Sequence, residues 1–164
     1  MNVFDLFQQQ FDFNRGRTLG LLDRIAQMPE PQAVLGWRPG AGRAHIGWQL
    51  MHIGVAEELF AVERLAQKEG QFRELWDRFK GGSTPDDHVP TAGQIRDVLA
   101  AGREDLLATL SEQDEAELDE IAWEARDGRR LTLRATLQII GWHEAHHQGQ
   151  AHITLNLYNS AFNP

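Results

Sequence analysis

Four stretches of the sequence repeat apolar residues at helical spacing, and this periodicity constrains the fold more than any other feature. The first stretch follows a candidate N-cap at Asn2 and ends before Pro29, and the others cover residues 44–68, 91–110 and 132–158. Strand-like alternation is not convincing in any long segment. Four helices of this length favour an all-α four-helix bundle.

The segments between these helices carry turn signals. Residues 29–42 and 81–90 are rich in proline and glycine and are predicted to be loops. The Asp127-Gly128 pair predicts a small hairpin before the last helix. A chain of 164 residues without internal repeats is expected to form one domain over its whole length, residues 1–164.

Two helices contain residues that do not suit a helix core. Asn14, Arg15 and Thr18 interrupt the apolar stripe of the first helix, which favours a solvated face there, or a drift of the stripe round the helix, over a polar cavity at Asn14. Gly149 lies within the last helix, where glycine costs roughly 1 kcal/mol relative to alanine. Close packing of another helix against Gly149 would explain that choice.

Composition excludes several classes of protein. The chain has no cysteine, so it has no disulfide, no thiolate zinc site and no thiol nucleophile of its own. A net charge of −8 without a basic stripe argues against binding to nucleic acid. No run approaches the roughly 18–20 apolar residues of a membrane span, and no signal peptide is evident, so a cytoplasmic protein is expected.

A histidine cluster in the last helix predicts a metal site. His143 and His147 lie one turn apart, about 40° round the axis, so both can reach one ion. His52 on the second helix would by itself suit a core position, but together with this pair it becomes the third candidate ligand. His146 points roughly 60° to the other side of His143. His45 is about 10 Å from His52 along the helix and is the reserve candidate.

The same cluster matches two other metal motifs incompletely. His-Glu-x-x-His is the zinc-protease motif, in which the glutamate activates water. Gly149 and His152 fall one position too early for the metzincin extension, and no glutamate follows Glu144 to act as a third ligand. A ferritin-like di-iron site needs two Glu-x-x-His motifs, and only one is present. A site of three histidines with open coordination positions, which implies catalysis or ligand binding, is favoured instead.

Two segments carry a family resemblance. Residues 47–53 (GWQLMHI), preceded by Arg38-Pro39, and residues 143–150 (HEAHHQGQ) resemble the signatures of the DinB/YfiT-like superfamily. The likeness extends over nearly the whole chain. It implies a four-helix bundle in up-down-down-up order that binds a divalent ion, often zinc or nickel. By motif, the ligands are His52, His143 and His147.

The resemblance also implies a function. Characterised relatives include S-transferases and isomerases that use low-molecular-weight thiols such as bacillithiol or mycothiol. The implied activity is a metal-dependent thiol S-transferase acting on a small electrophile, in a homodimer, with the thiol as cosubstrate. A non-catalytic metal-binding bundle, acting as a sensor or interaction protein, is the alternative from a different class.

Three residues near the histidines are open to more than one interpretation. Glu144 is the candidate catalytic residue, which would orient a ligand or accept a proton, although an exposed helical carboxylate without a catalytic role fits equally well. Gln150 lies seven residues after His143 and is the candidate to hydrogen-bond the site from outside the ligand set. Many relatives have arginine where this chain has Gln148, so the anionic-ligand contact made there by the family is in doubt.

Overall fold

A computed structural model describes residues 2–162. It contains six α-helices and one two-stranded antiparallel sheet. The helices are α1 (Val3–Ala26), α2 (Pro31–Gly36), α3 (Ile46–Glu58), α4 (Arg73–Phe79), α5 (Ala92–Ser111) and α6 (Leu133–Phe162). The strands are β1 (Ile121–Glu124) and β2 (Arg130–Thr132). A π-helix (Leu59–Leu65) continues α3, and a single 3-10 turn (Glu115–Glu117) follows α5. The predicted all-α bundle is confirmed.

Side-chain caps set the beginnings of two long helices. The Asn2 side chain accepts a hydrogen bond from the Asp5 backbone N–H at 2.8 Å, and the Asp5 carboxylate accepts one from the Asn2 N–H at 2.7 Å. Thr91 and Gln94 form the same reciprocal capping box at the start of α5. Each box satisfies backbone donors that have no partner within the first turn. The predicted start of the first helix is therefore confirmed.

Helices α1 and α6 run parallel to each other. Asn14 Nδ2 donates to the Gly141 carbonyl at 2.8 Å, and one turn later Thr18 Oγ1 donates to Glu144 at 2.8 Å. Residue numbers increase together along both helices. Direct pairing of antiparallel neighbours would make one number fall as the other rises.

Helix α3 lies antiparallel to α6 and parallel to α5. His52 contacts His143, and the earlier Gln49 contacts the later His147. Along α5, position 102 lies against residue 54, and position 109 lies against residue 61. The four long helices, α1, α3, α5 and α6, therefore have the up-down-down-up order that the family resemblance implies.

Glycine permits the close approach of α3 and α5. A Cβ atom on Gly102 would lie 2.7 Å from the Gly54 carbonyl oxygen, and one on Gly54 would lie 2.9 Å from a Val98 methyl group. Real Cβ atoms do not approach other atoms this closely, so larger residues would force the helices apart. Around Gly149, by contrast, nothing lies within 4 Å of a built Cβ, so the expectation of close packing there is wrong.

Two connecting segments differ from the sequence-based expectation. The predicted loop 29–42 contains α2, because Pro31 occupies its first turn, where a missing N–H costs nothing. The predicted helix 44–68 changes from α to π geometry at Leu59, with the Ala66 N–H bonded to the Ala61 carbonyl five residues back. It ends before Gln67, whose φ of 53° is left-handed.

The predicted hairpin is present. Strands β1 and β2 pair across a turn in which Gly128 has a φ of 82°, a conformation that glycine adopts readily. Trp123 of β1 contacts Phe60 of the π-helix, with ring centroids 6.1 Å apart. The hairpin thus closes one side of the bundle beside the π-helix. Within residues 2–162, no helix is both long and apolar enough to cross a membrane.

Candidate metal centre

The three predicted histidine ligands meet between α3 and α6. His52 Nε2 and His143 Nε2 are 3.0 Å apart, and His147 contributes a nitrogen such that all three lie within 4.8 Å of one another. The antiparallel arrangement of the two helices brings the middle of α3 opposite the middle of α6. One histidine from α3 and a one-turn pair from α6 therefore converge on a single point.

Hydrogen bonds fix two of the imidazole tautomers. His52 Nδ1–H donates to the Phe79 carbonyl, and His147 Nδ1–H donates to Gln49 Oε1 at 2.6 Å. A neutral imidazole that donates through one nitrogen carries a lone pair on the other. The Nε2 lone pairs of these two residues are thus directed away from Phe79 and Gln49 and are the atoms that could bind an ion; His52 Nε2 hydrogen-bonds His143 Nε2. Proteins orient metal-ligating histidines in this way.

The environment keeps the cluster uncharged. Burial, followed by the neighbouring imidazoles, lowers the pKa of His143 to about 3. Burial, with further contributions from His52 and His146, lowers the pKa of His147 to about 3. Burial also lowers the pKa of His52, against the opposing effect of the Phe79 carbonyl. Neutral imidazoles bind metals without first losing a proton, so the site is ready at neutral pH.

The separation of the His52 and His143 nitrogens fits a shared divalent ion. At metal–nitrogen distances of about 2.0–2.1 Å, two neighbouring ligand nitrogens lie roughly 3–3.5 Å apart. The His52–His143 separation of 3.0 Å agrees with that spacing. Three protein nitrogens also leave positions for water or substrate, as in catalytic rather than structural zinc sites.

The three histidines line an open cavity of about 600 Å³. Trp48 stacks on His52 with centroids 4.7 Å apart, and Phe60 meets His143 edge to face at 6.4 Å. A volume of this size accommodates a small molecule. The walls come from α3, the π-helix, α4 with its following loop, the hairpin and α6; they include Val55, Ala56, Leu59, Glu63, Arg64, Trp76, Lys80, Gly81, Gly82 and Arg126.

The other two histidines considered for the site lie elsewhere. His146 is exposed, stacks on Trp142 at 4.8 Å and accepts a hydrogen bond from Gln150 Nε2 at 2.8 Å. His45 caps α3, since its Nδ1 accepts from the Trp48 N–H at 3.0 Å. Neither belongs to the group whose nitrogens converge.

Gln150 does not support the triad in the way that its spacing suggests. Its amide bonds to His146, and the amide that contacts a triad histidine is that of Gln49. Gln150 and His143 are two turns apart, and over that length the side chain reaches a nearer neighbour first. Gln49 was not identified from the sequence, although its position three residues before His52 places it on a shared helix face.

Glu144 does not line the cavity beside the histidines, as a catalytic role would require. It is only 4% exposed, and its carboxylate accepts hydrogen bonds from Arg15 Nε at 2.8 Å, Arg103 Nη2 at 3.0 Å and Thr18 Oγ1 at 2.8 Å. A residue following His143 in a helix points about 100° away from it, here into the bundle interior. Both alternatives from the sequence, a catalytic base and an exposed carboxylate, are replaced by a buried ion pair.

These contacts belong to a buried ion cluster that joins all four long helices, composed of Arg15, Glu57, Arg103 and Glu144. Arg15 Nη2 lies 2.5 Å from Glu57 Oε2, and Arg103 Nε lies 2.9 Å from Glu57 Oε1. Burial opposes the charge on Arg15, but the two carboxylates outweigh it and raise the pKa of the guanidinium. The polar middle of the first helix is therefore an internal ion pair and not a solvated face.

Comparisons with known proteins agree with this architecture. A structure from Enterococcus faecalis, described as a conserved protein, superposes with a TM-score of 0.70 at 19% identity, covering 96% of this chain and 97% of that one. A DinB-like protein from Bacillus cereus ATCC 10987 gives a TM-score of 0.68 at 21% identity, covering 93% and 91%. At these identities the likeness shows a shared fold. No curated protein matches the sequence.

The family assignment rests on the sequence as well as the fold. The DinB superfamily matches residues 10–151, a span that contains all three histidines of the triad and every member of the buried ion cluster. The resemblance carried by the segments around His52 and His143 is thereby confirmed. This chain belongs to the DinB superfamily.

Proposed function

We propose that this protein is a divalent-metal-dependent enzyme that transfers a low-molecular-weight thiol, similar to bacillithiol, to a small electrophile. One observation carries the proposal: His52, His143 and His147 converge with neutral imidazoles at the floor of an open cavity. Zinc and nickel are the expected ions, since both accept imidazole ligands.

The chemistry follows from the ligand set and from the absence of cysteine. A divalent ion held by the triad would lower the pKa of a coordinated thiol and so supply thiolate at neutral pH. The sulfur must come from a cosubstrate, because the chain has no thiol of its own. The thiol proton passes to solvent, a carbon–sulfur bond forms with the electrophile, and the electrophile's leaving group departs with the electron pair of the broken bond.

The cavity walls suit a reaction between two small molecules. Trp48 and Phe60 flank His52 and His143 and give this part of the cavity an aromatic surface. The volume of about 600 Å³ is within the range of small-molecule sites, with room for a thiol beside an electrophile. Gln49 and the Phe79 carbonyl hold the imidazole rings in place during the exchange of reactants.

Two other functions are distinguished by specific features. A zinc hydrolase of the His-Glu-x-x-His type requires a free glutamate beside the ion, whereas Glu144 is bonded to two guanidinium groups and a hydroxyl. A non-catalytic sensor would bind the ion without turnover. The open cavity above the imidazoles supports an enzyme over a sensor, since a closed site would serve for binding alone.

The experiment is a reconstitution assay. Protein prepared without a nickel column is stripped with a chelator, reloaded with zinc or nickel, and supplied with a thiol panel that includes bacillithiol and a panel of alkyl halides and epoxides. We expect turnover that requires both thiol and metal, is lost in His147→Ala and is retained in His146→Ala. Stoichiometric metal binding without turnover across the panels would favour the sensor.

We also propose a homodimer, as the family resemblance implies. Exposed apolar side chains on α1 and α6 support this assembly: Phe13 is 70% exposed, Trp142 59% and Ile153 61%. Light scattering should give twice the 18.6 kDa mass of the chain. A single-chain mass throughout the micromolar range would contradict the dimer.

A further inference from the structure

The cavity has a charge bias that the histidines do not explain. Its lining includes three cationic side chains, Arg64, Lys80 and Arg126, and one acidic side chain, Glu63. The chain as a whole has a net charge of −8. The cavity lining is therefore net positive in a chain that is net negative, and this local positive charge favours the binding of anions.

Arg64 is held in place by an aromatic ring and not by a carboxylate. Its guanidinium lies over the Trp123 ring, 5.1 Å from the centroid. Trp123 is fixed in turn by an Nε1–H donated to Thr136 Oγ1 at 3.0 Å and by contact with Phe60. Within residues 2–162, no ion pair of Arg64 is found. Stacking occupies the face of a guanidinium and leaves its N–H edge available to an oxyanion.

The remaining charges at the cavity differ in how available they are. Lys80 Nζ lies 2.6 Å from Asp77 Oδ1, so its charge is partly balanced. Arg126 is exposed at the hairpin turn and, among the described residues, has no ion-pair partner. The negative charge of Glu63 repels an anion, but the two positive charges of Arg64 and Arg126 outweigh it. These two arginines are the stronger candidates for contact with a ligand.

Apolar contacts connect the histidines to Arg64. Phe60 contacts both His143, at 6.4 Å, and Trp123, at 6.1 Å, and Trp123 lies beneath the guanidinium. Of these two rings Phe60 lines the cavity, as do the apolar Val55 and Leu59, so the cavity surface beside the histidines and Arg64 is partly apolar. A molecule that extends from one to the other passes along apolar surface and ends beside positive charge.

We infer that this cavity takes small molecules with an apolar body and a terminal carboxylate or phosphate, and that Arg64 and Arg126 bind the anionic group. This inference rests on the proposed function, whose reactive end lies at the histidines, and it names the class of molecule. Arg64 and Arg126 are then specificity-determining residues and not part of the metal site. They occupy positions different from Gln148, which lies outside this cavity.

The test compares paired probes with the same apolar body, one ending in a carboxylate and the other in an uncharged hydroxyl. Binding of 3-phenylpropionate and 3-phenylpropanol is followed by tryptophan fluorescence, since Trp48 and Trp76 line the cavity. The chelator-treated protein is used first, so that a metal cannot itself attract the carboxylate, and the zinc-loaded protein is used second. We expect a preference of about tenfold for the acid, which corresponds to one charge-assisted hydrogen bond, and a weaker preference at high salt.

Variants show which residues cause the preference for the acid over the alcohol. Arg64→Gln and Arg126→Gln should each reduce it severalfold, Glu63→Gln should increase it, and Arg17→Gln, an equal charge change on exposed α1 surface, should leave it unchanged. A wild-type preference for the alcohol, or equal effects of Arg64→Gln and Arg17→Gln, would overturn the inference.

A separate experiment with 3-mercaptopropionate and 3-mercapto-1-propanol on cobalt-loaded protein tests the proposed function. Absence of thiolate absorption with both thiols would contradict the proposed function without affecting the result for anion binding.

Discussion

His143 and Glu144 are neighbours in α6, yet they belong to two different polar regions. His143 faces the cavity with an uncharged ring, 3.0 Å from His52. Glu144 faces the interior and is bonded to Arg15 and Arg103. The first region holds uncharged imidazole nitrogens that border the cavity, and the second consists of charged groups that satisfy one another.

This difference indicates that the ion cluster stabilises the fold, whereas the histidine region is able to bind a ligand. A buried ion cluster is costly to assemble, since each charge loses its hydration, and removing one member leaves the others unpaired. Such a cluster holds helices in register but has no group left for a ligand. The histidine triad has the opposite character, because its bonds to Phe79 and Gln49 orient the rings while the converging nitrogens, two of them joined by a hydrogen bond, remain at the cavity where an ion can bind them. Perturbing the two regions should therefore have different consequences.

The largest effect is expected from Glu144→Ala. This change leaves the guanidinium groups of Arg15 and Arg103 with Glu57 as their one buried carboxylate, beside the exposed Asp12, which should lower the free energy of unfolding by about 3–5 kcal/mol. Chemical denaturation measures the loss. Glu104→Ala, on the exposed surface of α5, is the control and should stay within about 0.5 kcal/mol of the wild type. A Glu144→Ala protein with unchanged stability but no turnover would show that Glu144 acts at the site after all.

A smaller effect is expected at the glycine contact beside the ion cluster. Gly102→Ala places a Cβ atom 2.7 Å from the Gly54 carbonyl oxygen and should lower the free energy of unfolding by about 1–3 kcal/mol. Gly149→Ala, on the open surface of α6, should raise it by up to about 1 kcal/mol, since nothing obstructs the methyl group. Thermal or chemical unfolding of the two variants measures this contrast. Equal effects would mean that α3 and α5 are not in close contact.

The stability that the histidine region contributes should depend on pH between 6.5 and 5. The pKa of His143 falls from 6.5 to about 3 on folding, so the unfolded chain takes up a proton that the folded chain excludes. This contribution to stability is intact above pH 6.5 and declines as the pH falls toward 3; the decline is about 2 kcal/mol between pH 6.5 and 5. Denaturation of the metal-free protein across this range measures it, and His143→Gln should make the decline shallower while His147, whose pKa is also lowered to about 3, still contributes. A wild-type profile already flat from pH 7 to 5 would contradict the neutral triad.

The sequence predicts the histidine region better than the ion cluster, for a physical reason. His143 and His147 form a local pattern that geometry within one helix explains, and the family resemblance identifies the third histidine. The cluster pairs Arg15 with Glu57 and Glu144, which lie 42 and 129 residues away. A charged residue at a helical position has the same appearance in the sequence whether it is solvated or paired inside, so the partner helices must be known first.

Backbone features likewise could be predicted where they depend on residues within one helix, but not where they depend on another helix. The starts of α1 and α5 were predictable because Asn2 and Thr91 cap them locally. Gly149 was predicted to be a packing position and Gly102 was not identified, because the role of a glycine depends on what lies opposite it in another helix. The change from α to π geometry at Leu59 had no local signal either, although it supplies Phe60, Glu63 and Arg64 to the cavity.

The most direct test of the account is zinc titration of the metal-free protein and two adjacent variants, His147→Ala and His146→Ala, by calorimetry, with circular dichroism to confirm that each is folded. We predict one ion per chain for the wild type, near-wild-type affinity for His146→Ala, and a loss of more than about 100-fold for His147→Ala, beyond what loss of an outer hydrogen-bond partner causes. Equal affinities in the two variants, whether both high or both low, would contradict the assignment of His52, His143 and His147 as the metal ligands.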